Sequence, residues 1–222
     1  MVAIANSCPI NSFGEKMSKV EVNKKNKRLA LLDNAYSLFI EKGFNNTTIS
    51  DIVNRAGVAK GTFYLYFKDK FDLRNEIVAR KSIEILLKAE ENMKSSGTEP
   101  KTLEEGIAAF SDAILECFRN NRLQLNFISK NLSWGVFSHI AESNFSNEKD
   151  REEINNVYNN FLAVLDENNY KCADPKILLF TIIEFINSTG YSAIVGDAPC
   201  SLDKYKPYLH KGIESLFKAY KI

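Results

Sequence analysis

The sequence lacks the signatures that would mark a metalloprotein, a secreted protein or an enzyme. Its four cysteines (Cys8, Cys117, Cys172 and Cys200) are scattered without C-x-x-C or finger spacing, and its two histidines, His139 and His210, stand far apart. No metal site is expected from such spacing, nor any cofactor, and the thiols suit a reducing cytoplasm. P-loop, G-x-S-x-G, H-E-x-x-H and Cys/His arrangements are all missing, which argues against catalysis. Residues 1–16 have neither the basic start nor the continuous apolar run of a signal peptide, but carry Pro9, Gly14 and several Asn and Ser. They read as a disordered tail that extends to residue 23, with Met17 as an alternative natural start. No long stretch alternates apolar and polar residues as a half-buried strand does. Net charge is missing too: 29 basic against 28 acidic side chains leave +1, so bulk charge names no partner.

What remains is an ordinary globular composition, 45% hydrophobic and 26% charged over 222 residues, with room for one large or two small domains. The charge is unevenly placed. Residues 1–80 hold thirteen basic and eight acidic side chains, residues 81–222 sixteen and twenty. The N-terminal part therefore reads as a binder of polyanions.

Helical spacing recurs throughout, with Gly, Pro or Asn between runs, and predicts an all-α fold of about nine helices. The first, Lys24 to Lys42, gathers Leu31, Ala35, Leu38 and Phe39 on one face and stops at Gly43. Lys24, Lys25, Lys27 and Arg28 then fall in its first turns, against the helix dipole, where a negative partner or solvent must offset them. Thr48 and Asp51 have capping-box spacing for a short helix that ends at Gly57. A second short helix, Lys60 to Phe67, buries Phe63 and Phe67 and leaves Lys60, Thr62, Tyr64, Leu65 and Tyr66 on its other faces. Two short helices on a tight turn resemble a helix-turn-helix. Asp69 and Asp72 cap a longer helix to about Met93, and a boundary near residue 84 divides a domain at 24–84 from a larger one at 85–222.

In the larger part, Thr102 and Glu105 open a helix with Leu103, Ile107, Phe110, Ile114 and Cys117. Another helix spans about Leu123 to Ile140, and a further one stripes Ile154, Val157, Tyr158, Phe161, Leu162 and Leu165. Asp174-Pro175 opens the apolar run KILLFTIIEFINSTGYSAIV, in which Glu184, Asn187 and Gly190 argue against a membrane span. The last helix carries Leu209, Ile213, Leu216 and Tyr220.

The stretch LLDNAYSLFIEKGFNNTTISDIVNRAGVAKGTFYLYFKDKFDLRNEIV joins LF, EKGF, TT, DI, RAGV, KGTFY, YF and K-DK in order. In these motifs it resembles the DNA-binding domain of the TetR family of transcriptional regulators. The resemblance implies a three-helix helix-turn-helix domain joined to a larger helical ligand-binding and dimerisation domain. Carried over by position, Lys60, Gly61 and Leu65 lie where the family meets bases, and Thr62, Tyr64 and Tyr66 where it meets phosphates. Thr48 and Lys70 look like further phosphate clamps. Gly61 has no side chain to read with and would let the helix sink into the major groove, while Leu65 suits a thymine methyl. Ala59 departs from the family's serine-like cap, a loss of about 0.5–2 kcal/mol, so the recognition helix is expected to firm up on DNA.

Over residues 85–222 only the helical layout is similar. Phe110, Phe118, Phe127, Trp134, Phe137, Tyr158, Phe161 and Phe185 are candidates to line an effector cavity, although aromatics at helical spacing are core more often than pocket. Thr181, Glu184, Ser188 and Tyr191 form a polar stripe on an apolar helix, so Glu184 belongs to an effector site, a two-fold interface or a solvated groove. His139 reads as a helix-end surface residue. The family pairs its last two helices, here about 175–195 and 204–220, with those of a second subunit, which implies a homodimer on a palindromic operator. The expected function is a dimeric repressor released from double-stranded DNA by a small-molecule effector. The alternative is a ligand-independent DNA-binding or architectural protein regulated by a partner.

Overall fold

The computed structural model describes residues 18–97, 100–129 and 148–222. Among them nine helices run in the order α1 (Lys19–Lys42), α2 (Ile49–Ala56), α3 (Lys60–Tyr64), α4 (Lys70–Ser95), α5 (Leu103–Asn120), α6 (Arg122–Ile128), α7 (Glu148–Glu167), α8 (Pro175–Gly196) and α9 (Leu202–Tyr220). The chain divides into two compact units, Met1–Ile77 and Val78–Ile222. Cys8, Met17, Trp134, Phe137 and His139, and the helix expected beyond Ser129 to Ile140, lie outside the described residues.

In the first unit α1 begins five residues earlier than its apolar spacing predicts. The Ser18 hydroxyl accepts from the Glu21 amide at 3.2 Å, and the Glu21 carboxylate accepts from the Ser18 amide at 2.8 Å. This capping box satisfies two of the free amides at the helix start. Two expectations are corrected. Residues 18–23 are capped helix rather than the end of a disordered tail. The lysines at 24, 25 and 27 lie beyond the first turn, where an acid, Glu21, faces the positive end of the dipole.

Leu31, Ala35, Leu38 and Phe39 of α1 form the unit's core with Ile52 and Val53 of α2, Phe63, Phe67, Leu73 and Ile77. Thr47 is fully buried between α1 and α2, its hydroxyl donating to the Gly43 carbonyl at 2.9 Å. Gly57 ends α2 in the left-handed region, φ 65°, which a side chain would strain. The helix expected to reach Phe67 ends at Tyr64. Beyond it the amides of Tyr66 and Phe67 both donate to the Phe63 carbonyl at 3.0 Å, a tightening that still delivers Phe67 to the core. Asp69 and Asp72 cap α4 as read from sequence: Asp69 accepts from the amides of Phe71 and Asp72, and Asp72 from that of Lys68.

The units divide at residue 77, inside α4, rather than near 84, because an unbroken helix carries no local boundary signal. From Ile85 onward the buried residues of α4 belong to the second core, with Leu115 and Phe118 of α5, Leu125 and Ile128 of α6, Phe161 of α7 and the apolar faces of α8 and α9. By length and composition α8 is long and apolar enough to cross a membrane, yet half of its apolar stretch is buried, as in the core helix of a globular unit. It packs on α5, α7 and α9. Arg119–Asp203 (3.0 Å), Lys206–Glu116 (2.7 Å) and His210–Asp112 (2.9 Å) tie α9 to α5.

Candidate nucleic-acid interface

A five-residue helix has no stability of its own, so the position of α3 is set by what it buries. Phe63 is fully buried and meets Phe67 at 5.7 Å between ring centroids. Burying such a side chain contributes about 1.5–3 kcal/mol. Around that anchor the remaining positions point outward. Lys60 and Gly61 are exposed, Tyr64 is 53% exposed and Leu65 79%, while Thr62 and Tyr66 are half-buried. Ala59 supplies no side-chain cap to α3, the deficit read from the sequence. A Cβ built on Gly61 meets nothing within 4 Å, and its backbone needs no positive φ. Neither the packing nor the backbone of the protein therefore requires glycine there.

Thr48 is exposed, but its hydroxyl is already employed. It accepts from the Asp51 amide at 3.1 Å and donates to the Asp51 carboxylate at 2.8 Å. The same carboxylate oxygen accepts from the Thr48 amide and from Lys42, both at 2.8 Å. The Lys42 ammonium, with the Thr48 amide and hydroxyl, holds the Asp51 carboxyl well below the usual range.

Lys70 departs further from a free phosphate clamp. Its ammonium donates to the carbonyls of Phe44 (2.8 Å) and Thr47 (2.7 Å), leaving one N–H for any outside acceptor. Sequence reading missed this use because the two carbonyls lie more than twenty residues away. Thr47 was missed as a core residue as well; the TT pair signals a cap without saying that the first hydroxyl turns inward. The bridges Lys42–Asp51 and Arg55–Glu41, both 2.8 Å, join α1 to α2 and hold the helix-turn-helix against it.

The structure separates the residues named for an effector cavity. Phe118 and Phe161 are core residues, and Phe110, Phe127, Tyr158 and Phe185 are partly buried against that core. Burial, with Asp174 and Cys172 nearby, pushes the Tyr158 phenol up. Glu184 lies half-exposed on the outer face of α8, with Ile177, Phe180 and Val195 on the same side. Thr181, one turn before Glu184, shares a 3.1 Å hydrogen bond with the Tyr220 hydroxyl.

Residues 31–77 match the model of bacterial regulatory proteins of the tetR family. A fatty acid metabolism regulator protein of Bacillus subtilis is 26% identical over 143 residues, 64% of this chain and 66% of that protein. The transcriptional repressor BepR of Brucella suis is 34% identical over 76 residues, 33% of this chain and 36% of its own length. The chain thus spans between about a third and just under two thirds of these curated relatives. The crystal structure of the regulator FadR from Bacillus subtilis, in complex with stearoyl-CoA, superposes with a TM-score of 0.51 at 21% identity, covering 83% of this chain and 96% of that one. At that identity the likeness is one of fold: an N-terminal helix-turn-helix followed by a larger helical domain.

Proposed function

The chain belongs to the TetR family of bacterial regulatory proteins, and from that premise we propose that it is a cytoplasmic, dimeric DNA-binding repressor released from a palindromic operator by a small-molecule effector. The observation that carries this reading is the division of labour on α3. Phe63 and Phe67 hold the helix, while Lys60, Gly61, Tyr64 and Leu65 are presented to solvent. Exposed Tyr64 and Leu65, within one turn of the unobstructed Gly61, suit a surface that enters the major groove. Lys60 and Leu65 then read base edges, and Thr62, Tyr64 and Tyr66 meet phosphates, with Thr48 and the spare N–H of Lys70 adding to them.

A palindrome needs two copies. The outer face of α8 offers Ile177 at 52% exposure, with Phe180, Val195 and the stripe through Thr181, Glu184 and Ser188, and α9 adds the exposed Tyr208. These exposed apolar residues support pairing through 175–195 and 204–220, an arrangement in which Glu184 would lie at the two-fold interface. The aromatics around the second core supply the apolar environment for an effector, which must bind the DNA-free state more tightly than the bound one. A long-chain acyl-CoA is the first compound to try, given the relative that regulates fatty acid metabolism and the stearoyl-CoA in the FadR structure.

The test is selection of sites from random duplex DNA by the purified protein, followed by mobility shifts with acyl-CoAs and a panel of apolar and cationic compounds. A palindrome released by one of them is the expected result. No enriched site overturns the reading, and a palindrome that nothing releases overturns its ligand-gated part.

A further inference from the structure

The first two and a half turns of α1 have no core to sit on. From Ser18 to Lys27 every side chain is exposed except the half-buried Val22, and the first buried residue of α1 is Leu31. Tertiary packing, the usual source of helix stability, contributes little here. Charge works against the helix as well. Lys19, Lys24, Lys25 and Lys27 share one carboxylate, Glu21, which the Ser18 amide already engages. Lys24 and Arg28 stand four residues apart, a repulsive spacing.

The direction of the lysines is set by helical period. Lys24 is seven residues before Leu31, so it continues the core-facing stripe of α1 past the edge of the core, flanked by Lys25 and Lys27 within one half of the circumference. One turn on, Arg28 pairs with Glu76 and lies 5.3 Å over the ring of Phe67, the residue that ends the α3 segment. The lysines thus overhang the fold on the side where the recognition segment ends. The overhang, Lys19 to Lys27, is about 13 Å long at 1.5 Å per residue.

We propose that this overhang is a second contact surface for DNA, in which Lys24, Lys25 and Lys27 engage the phosphate backbone flanking the half-site under α3. This rests on the DNA-binding reading above and adds a sequence-independent clamp to it. Long, flexible ammonium side chains suit phosphates, which offer the same charge whatever the bases. The duplex supplies the negative partner that relieves the lysine repulsion, so the overhang firms as a helix on binding.

The test compares the full chain with the triple variant Lys24→Gln, Lys25→Gln, Lys27→Gln on the selected site carrying about ten base pairs of flank on each side, one helical turn, and on the same site trimmed to the palindrome. Each phosphate neutralised adds about 0.9 to the slope of log affinity against log salt. The triple variant is expected to lower that slope by about 2 to 3 on the flanked duplex and much less on the trimmed one. Its base preferences stay unchanged and its melting temperature does not fall, since all three side chains are exposed and mutually repulsive. Amides of Lys19 to Lys27 gain exchange protection on the flanked duplex. Equal slopes for the two proteins overturn the proposal, as does a preference of this segment for anionic phosphatidylglycerol vesicles over duplex. Failure of the unmodified chain to bind any duplex overturns the DNA-binding reading itself, so the two failures are distinguishable.

Discussion

Lys70 holds Phe44 twice, donating to its main-chain carbonyl at 2.8 Å while its ammonium lies 4.3 Å from the centroid of its ring. With the bond to the Thr47 carbonyl, this ties the turn between α1 and α2 to the start of α4. Hydrogen bonds from a charged donor are worth about 1.5–3 kcal/mol each before partial exposure reduces them. Lys70→Ala is therefore expected to lose about 1–3 kcal/mol in urea denaturation, and to weaken all DNA sequences alike. A variant as stable as the parent would reduce Lys70 to a surface charge.

Lys60 should behave differently. It is exposed on α3 and anchors nothing in the core, so Lys60→Ala is expected to leave stability within about 0.5 kcal/mol. In site selection it should relax preference at one operator position, by about 1–3 kcal/mol of discrimination. Loss of affinity spread evenly over all positions would contradict its assignment to a base.

The missing cap at Ala59 can be restored. Ala59→Ser is expected to stabilise the first unit by about 1 kcal/mol and to slow amide exchange from Lys60 to Tyr66 in the free protein. If α3 already has full protection without DNA, the substitution will change nothing and the idea that the duplex firms this helix fails.

Asp51 makes the helix-turn-helix sensitive to acid. Its carboxyl titrates below the ordinary value in the folded state, chiefly through Lys42 and then Thr48. The folded chain therefore holds fewer protons than the unfolded one. The contribution is complete above the unfolded value of about 3.9 and is lost as pH falls through the lower folded value. Denaturation of the protein and of Asp51→Asn over a pH series should show a stability gap that is widest near neutrality and closes below about pH 4. A gap independent of pH would remove Asp51 from the acid response.

In the second unit the close approach of α8 to α5 depends on a missing side chain. A Cβ on Gly190 would come within 2.2 Å of a methyl carbon of Leu115, which is fully buried. Gly190→Ala is expected to destabilise by about 1–3 kcal/mol, and adding Leu115→Ala should cost less in that background than alone. Additive losses in the double variant would show that the two positions are not in contact.

How much of this was legible in the sequence depended on whether the signal was local. The Thr48–Asp51 box, the Asp174 cap, Gly57 and the apolar spacing of α1 act over a few residues and could be placed by reading along the chain. The S-x-x-E box at Ser18 is equally local, but the continuous apolar stripe starts only at Leu31, so the reading along the chain began the helix at Lys24. The end of α3 depended on two amides converging on one carbonyl, a geometry with no residue-level signature. Lys70 and Thr47 were misjudged for another reason: a lysine and a threonine near a helix start look the same whether they face a phosphate or a distant main-chain carbonyl. Among the described aromatics of the second unit, spacing found Phe118 and Phe161 in the core and Phe110, Phe127, Tyr158 and Phe185 against it, and said nothing about whether they enclose a space.

The burial of Phe63 and Phe67 also bears on how such a protein could change its targets. The exposed positions proposed to read bases, Lys60 and Leu65, are not the buried positions that anchor the segment. On the proposed reading, operator preference can therefore be retuned at Lys60 and Leu65, both exposed, without touching the two buried anchors, and a library varied at those two sites is expected to stay folded.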